Sequence, residues 1–169
     1  MDYENNRMVD LDRIYKSVIK PLFKDEFENY ELIRADEIAG SAIIDVDMYS
    51  LLMQADLVIA DITTLNPNAL YELGIRHALK PFSTIIMKEK TGKIPFDLDH
   101  SRFLLYKEIG EYLDEIEIKD IKESLGNFVK SSECSKIDSP FYTFLPGIKP
   151  PHLDVMTSKI NTTSPLVKK

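Results

Sequence analysis

The feature that most constrains this chain is the run Leu57-Val58-Ile59-Ala60-Asp61-Ile62. It is aliphatic without alternation and carries one acid near its end. A strand with one solvated face would alternate; a continuous apolar run marks a strand covered on both faces, as in a parallel sheet. A few residues on, Asn66-Pro67-Asn68 offers a good N-cap and a proline suited to the first helical position. The helix predicted from there runs to about Leu79 and stops before Pro81. A second buried strand is predicted at Ser83 to Met87 and a third at Phe103 to Tyr106. Two parallel strands joined by a helix require a right-handed crossover.

The rest of the chain is read around this unit. Apolar residues at Leu11, Ile14, Val18 and Leu22 predict a helix over Asp10 to Lys24, kinked at Pro21. Tyr30 to Arg34 is a short strand candidate. Ile43 to Gln54 reads as a helix whose Met48, Tyr49, Leu52 and Met53 suit either a dimer face or the core. Thr91 to Pro95 is a turn-rich connection, Ile109 to Val129 a charged amphipathic helix, and Pro140 to Pro151 an extended arm. Short strands alternating with helices predict an α/β fold, with a flavodoxin-like or Rossmann-like parallel sheet flanked by helices. The organisation expected is one α/β domain over residues 1–130, an arm over 131–152 packed on it, and a disordered tail over 153–169.

Composition narrows the function. The chain has 169 residues, enough for one such domain. With 28 acids against 21 bases, a net charge of −7, it lacks the basic balance of a non-specific nucleic-acid binder. One cysteine, Cys134, allows no internal disulfide, and three scattered histidines make no metal-ligand spacing. No segment has the roughly 18 apolar residues of a membrane span. The reading is a cytoplasmic protein with no membrane or nucleic-acid partner and no metal.

Ligands of open α/β sheets bind beyond the carboxyl ends of the strands. Two such ends are polar here: Arg34-Ala35-Asp36-Glu37, and Asp61 leading through Thr63, Thr64, Asn66 and Asn68 to Tyr71 and Glu72. Free N–H groups at the capped helix start favour a polar or anionic ligand. On that helix Leu70, Leu73, Gly74, His77 and Ala78 share a stripe expected to face the sheet. Gly74 would be there for close packing, and His77 would be a core residue. Glu72 falls beside the stripe, near Asn68, Ala69, Ile75 and Arg76, so it need not point into bulk water. Partly desolvated, it could act as nucleophile or base. More ordinary roles are also open: Arg76 pairing with Glu72 or Asn68, and Arg34 pairing with Asp36 or Asp61.

The stretch ADLVIADITTLNPNALYELGIRHALKP, Ala55 to Pro81, resembles the nucleoside 2-deoxyribosyltransferase-like superfamily. It is most similar to its deoxyribohydrolase-like branch and, at greater distance, to TIR-like domains. IYKSVIKP (Ile14 to Pro21), IRADE (Ile33 to Glu37), KIPFDL (Lys93 to Leu98) and DSPFYTFLPGI (Asp138 to Ile148) extend the likeness over most of residues 10–152. The resemblance implies that Glu72, the acid of the YELG motif, attacks the anomeric carbon of a ribose or deoxyribose. It implies that Asp61 serves the catalytic site and, with Asn68, lines the pocket. Asp36 would reach it from the next strand, and Tyr71 would hold Glu72. Arg34 and Asn66 complete the substrate-binding set. No metal or organic cofactor is implied.

Members of that superfamily open with a strand and a glycine-containing loop, and they place an acid in the helix before the motif strand. Here Met1 to Asp10 is polar, so the usual first strand is lacking. Either the chain is a truncated form, or the gap beside the aliphatic run is closed otherwise, for instance by Phe141 to Leu145. Asp47 lies near the place of the helix acid. The expected function is cleavage of the N-glycosidic bond of a nucleoside or nucleotide, by hydrolysis or deoxyribosyl transfer. The alternatives are a non-catalytic nucleotide-sensing or interaction module, and a TIR-like NAD-cleaving domain. By the same resemblance the protein is expected to be a homo-oligomer, a dimer.

Overall fold

The computed structural model describes residues 10–35, 44–107, 114–132 and 136–151, with side chains from Met48 onward in the segment that opens at Ile44. Three strands, β1 (Val58–Asp61), β2 (Thr84–Glu89) and β3 (Phe103–Tyr106), form an all-parallel sheet in the order β1-β2-β3. Asp61 stands opposite Met87, and Glu89 opposite Tyr106.

Helices cover both faces, which makes the fold α/β. The chain enters through α1 (Leu11–Ile14), a π-helical turn (Tyr15–Ile19) and α2 (Lys20–Glu26), then continues to α3 (Ile44–Gln54). The crossover from β1 to β2 is α4 (Pro67–Leu79), and a 3-10 turn at Phe96–Leu98 lies between β2 and β3. The last elements are α5 (Glu115–Ser132) and α6 (Pro140–Phe144). Because side chains alternate along a strand, β2 serves two cores. Ile85 and Met87 join Ile14, Val18 and Leu22 and, from α5, Ile121, Leu125 and Val129. Ile86 points the other way, onto Ile62 and Leu73. No described helix is long and apolar enough to cross a membrane.

The expected kink at Pro21 takes the form of the π turn just before it. Pro21 has no N–H to donate, and the wider register absorbs the defect: Lys20 N–H bonds Tyr15 O, five residues back. Tyr30 to Arg34, expected as a strand, is irregular. Tyr30 stands edge-on to Phe23 and Phe27, at 5.7 and 6.3 Å between ring centres, and Leu32 packs on the same core. Those aromatic contacts hold the segment on α2, off the sheet. Among the described residues no strand pairs with the outer edge of β1.

The arm does not fill that gap. Expected as extended, it contains the short helix α6 and clasps the carboxyl end of α4. Ser139 Oγ donates to His77 O at 2.7 Å, and Tyr142 OH to Ala78 O at 2.7 Å. Both acceptors belong to the last turn of α4, whose carbonyls have no partner inside the helix. Asp138 Oδ2 accepts Thr84 N–H at 2.9 Å and so holds the start of β2. The tail from residue 152 onward lies outside the described residues, as does Cys134.

Arg76 joins these pieces. It pairs with neither Glu72 nor Asn68. Fully buried, it donates from Nη1 to Leu52 O (2.6 Å) and Ala55 O (2.9 Å), from Nη2 to Ser83 O (3.0 Å), and from Nε to Thr84 Oγ1 (3.3 Å). A guanidinium at the end of α3 satisfies orphan carbonyls and opposes the negative end of the helix dipole. Burial pushes its pKa down to about 10, against the pull of Asp138 and Asp56, so it stays charged at neutral pH. On the other side of α4, Gly74 and Ala78 are exposed, and a Cβ at Gly74 would meet nothing within 4 Å. The expected packing role for that glycine is therefore absent. The stripe that faces inward is Leu73, Arg76 and His77, with Leu70 half-buried.

Candidate functional site

Parallel register brings the carboxyl ends of the three strands together, and with them Asp61, Glu89 and Tyr106. All three lie on the sheet face shared by Ile59, Met87 and Leu104, by alternation. Tyr106 OH donates to Asp61 Oδ2 at 2.6 Å and lies 2.8 Å from Thr63 Oγ1. Thr63 Oγ1 accepts Glu89 N–H at 3.0 Å, and Thr63 N–H donates to Asp61 Oδ1 at 2.9 Å. The phenol has one proton and spends it on Asp61, so the threonine hydroxyl must donate to the phenol. The result is a directed chain from β2 through Thr63 and Tyr106 to Asp61. Burial raises the Asp61 pKa, the bonds from Thr63 and Tyr106 pull it back, and the Glu89 charge raises it further. Burial first, then the charge of Asp61, raises the Tyr106 pKa.

This chain of bonds fixes the loop from β1 to α4. Leu65 N–H closes a turn on Ile62 O at 3.0 Å, and Leu65 adopts φ 48, a left-handed conformation unfavourable for a residue with a Cβ. Asn66 follows as the N-cap of α4, its Oδ1 accepting Asn68 N–H at 2.9 Å. The cap expected from the sequence is thus formed, and it occupies the Asn66 side chain. Asn68 is exposed, and Tyr71 is 64% exposed.

Glu72 sits in the second turn of α4. It is half-buried, and desolvation raises its pKa. Among the described residues no donor bonds its carboxylate. Arg76, four residues on and therefore on the same flank, reaches into the end of α3. Glu72 therefore lies on the α3 side of α4, one turn nearer the strand carboxyl ends. On α3, Leu52 and Met53 are core residues, while Met48 and Tyr49 are half-buried.

The other sequence-predicted residues do not gather here. Arg34 pairs with the Asp12 carboxylate, and its guanidinium lies 4.8 Å from the Tyr15 ring centre. Asp36 and the side chain of Asp47 lie outside the described residues. Two hollows lie elsewhere. One of about 330 Å3 lies between α2 and α5, lined by Glu26, Lys122 and Lys130. One of about 280 Å3 lies beside the arm, lined by Phe82, Tyr142 and Ile148. Among the described residues no group of three His, Cys, Asp or Glu could hold a metal.

Sequence reasoning missed Tyr106 and Glu89, and it placed Thr63 at the strand end without a role. The signal for Tyr106 was present: a tyrosine ending an aliphatic strand places a hydroxyl where the other strand ends are polar. Against known proteins, no family model, curated sequence or solved structure matches the chain.

Proposed function

We propose that the protein cleaves the N-glycosidic bond of a nucleoside or nucleotide, with Glu72 as nucleophile. The carboxylate attacks the anomeric carbon, and the bond to the base breaks. The base leaves with the electron pair and takes a proton from water. A second water then hydrolyses the glycosyl ester. Written this way, the reaction asks for no cofactor. The observation that carries the reading is the contrast between the carboxyl groups of Asp61 and Glu72. Asp61 has both oxygens engaged, which suits a positioning role. Glu72 is partly desolvated and unengaged among the described residues, the state in which a carboxylate is available for attack. The acidic balance of the chain and its single cysteine support a cytoplasmic setting.

A second reading, a nucleotide-binding module without turnover, is favoured by one observation: neither of the two hollows described above touches Glu72. One experiment separates the two. The full chain is incubated with 2′-deoxynucleosides, their 5′-monophosphates and NAD, and released base or nicotinamide is measured by chromatography. Base release that falls about 10³-fold in Glu72→Gln is expected. Release undiminished by that substitution ends the nucleophile assignment. Thermal stabilisation by ligand with no release selects the binding module, and nicotinamide release selects NAD as substrate.

A further inference from the structure

The long helix α5 holds a glycine in its interior, Gly126, which is buried. Glycine is the poorest helix former after proline, so a close approach to its backbone is the usual reason to find one there. The packing of α5 on α2 does not require it. A Cβ at Gly126 would lie 3.8 Å from Glu26 Oε2 and 3.8 Å from Leu22 Cδ1, which is ordinary van der Waals contact. It would, however, intrude on the hollow of about 330 Å3 between the two helices, which Gly126 helps to line. That volume lies at the small end of ligand pockets. The rest of the lining is charged or polar. Glu26 is engaged with Lys130 Nζ at 3.2 Å, and that ammonium stands 5.8 Å from the Phe27 ring centre, so one wall is fixed. Lys119, Lys122, Glu123 and Asn127 complete the lining. Among the described residues neither Lys119 nor Lys122 has an acceptor, and Lys122 is half-buried. On a chain of net charge −7, the hollow gathers three ammonium groups against two carboxylates and leaves Lys119 and Lys122 unspent. With no apolar side chain in the lining, an acyl chain or a stacked ring has nothing to pack on. The backbone N–H groups here belong to the middle of a helix and are bonded within it, unlike those that hold phosphate at helix starts. What remains is two point charges one helical turn apart and an amide beside them, an arrangement suited to a pair of carboxylates.

We propose that the hollow between α2 and α5 binds a small dicarboxylate, held by Lys119, Lys122 and the Asn127 amide over the Gly126 backbone. The site is separate from the strand ends, and its test does not involve base release. Titration calorimetry and thermal melts are run on the full chain with succinate, acetate and inorganic phosphate, against sodium chloride of matched ionic strength. Succinate is expected to saturate with a Kd on the order of 0.1–1 mM and to weaken severalfold at about 0.5 M salt. Without ligand, Gly126→Ala should melt about 2–4 °C higher than the parent, since alanine is the better helix former and has room. The same variant should bind succinate about tenfold or more weakly, because its methyl group takes the space over the backbone. Opposite movement of stability and affinity is the mark of a glycine kept for a ligand. Lys122→Met, which keeps the packing stem and removes the charge, should lose succinate to the same extent. If Gly126→Ala melts lower than the parent, Lys122→Met decides alone. A succinate effect no larger than that of matched sodium chloride overturns the proposal, as does a succinate affinity unchanged in Lys122→Met. Acetate binding as tightly as succinate, or phosphate binding more tightly, overturns the dicarboxylate as ligand.

Discussion

The two ends of the sheet are built differently. At the amino end, many polar groups are matched across long stretches of sequence, although His77 Nε2 and Asp138 Oδ1 are buried there without a partner among the described residues. Arg76 satisfies carbonyls from α3 and from the segment before β2, and the arm hydroxyls cap α4. At the carboxyl end, the Glu72 carboxylate has no donor among the described residues. Left-handed backbone occurs at both ends, at Leu65 (φ 48) and at Ser83 (φ 67), and so does not separate them. A scaffold can afford open donors and acceptors where a ligand or water will meet them, and it needs closure where nothing will. Under the proposed function, the closed end serves stability and the open end the ligand.

Arg76→Ala tests the closed end most severely. It removes a buried cation and strands four acceptors, so a loss of about 3–5 kcal/mol is expected by urea denaturation. A loss below about 1 kcal/mol would mean that water already reaches those carbonyls, and the contrast between the ends would disappear.

Next comes a difference in sign with pH. At the closed end, burial and then the charge of Arg76 lower the His77 pKa from 6.5 to about 4. The fold prefers the neutral ring, so its contribution is present above pH 6.5 and is lost as pH falls from 6.5 toward 4, on the order of 3 kcal/mol. At the open end, the raised pKa values of Asp61 and Glu72 mean that the fold prefers the protonated acids. Their contribution is present below the ordinary values of 3.8 and 4.5 and is lost as pH rises above them. His77→Gln should flatten the acid-side decline. Asp61→Asn should remove the opposite slope. Denaturation series across pH 3 to 8 on the two variants sharpen the comparison, and equal slopes would break it.

The smallest effect concerns the one well-bonded feature of the open end. Tyr106→Phe deletes the donor to Asp61 and leaves Thr63 Oγ1 without its acceptor, so a loss of about 1–3 kcal/mol is expected. If the network positions the loop into α4, binding of a 2′-deoxynucleoside monophosphate should weaken as well. A loss of stability with ligand affinity unchanged would confine the network to a structural role.

Much of the fold was legible because its signals are local. The aliphatic run at Leu57, the cap at Asn66 and the stops before Pro81 act over a few residues, and each element formed close to its expected bounds. Tyr30 to Arg34 was misread because a short apolar run looks the same whether it pairs with a strand or packs on aromatic rings. Gly74 was misread because helical spacing places a residue on a stripe without saying how wide the covered sector is.

By itself, then, the sequence determined an α/β chain with an acid at a strand end and a capped helix behind it, since periodicity and capping are properties of neighbouring residues. Only the tertiary structure decided which polar groups are spent and which are left open. Tyr106 meets Asp61 across 45 positions, and Ser139 meets the carbonyl of His77 across 62. Those pairings follow from parallel register and from where the arm docks, and no local pattern encodes them. The same packing took Arg34 to Asp12, buried Arg76 and left Glu72 unengaged among the described residues.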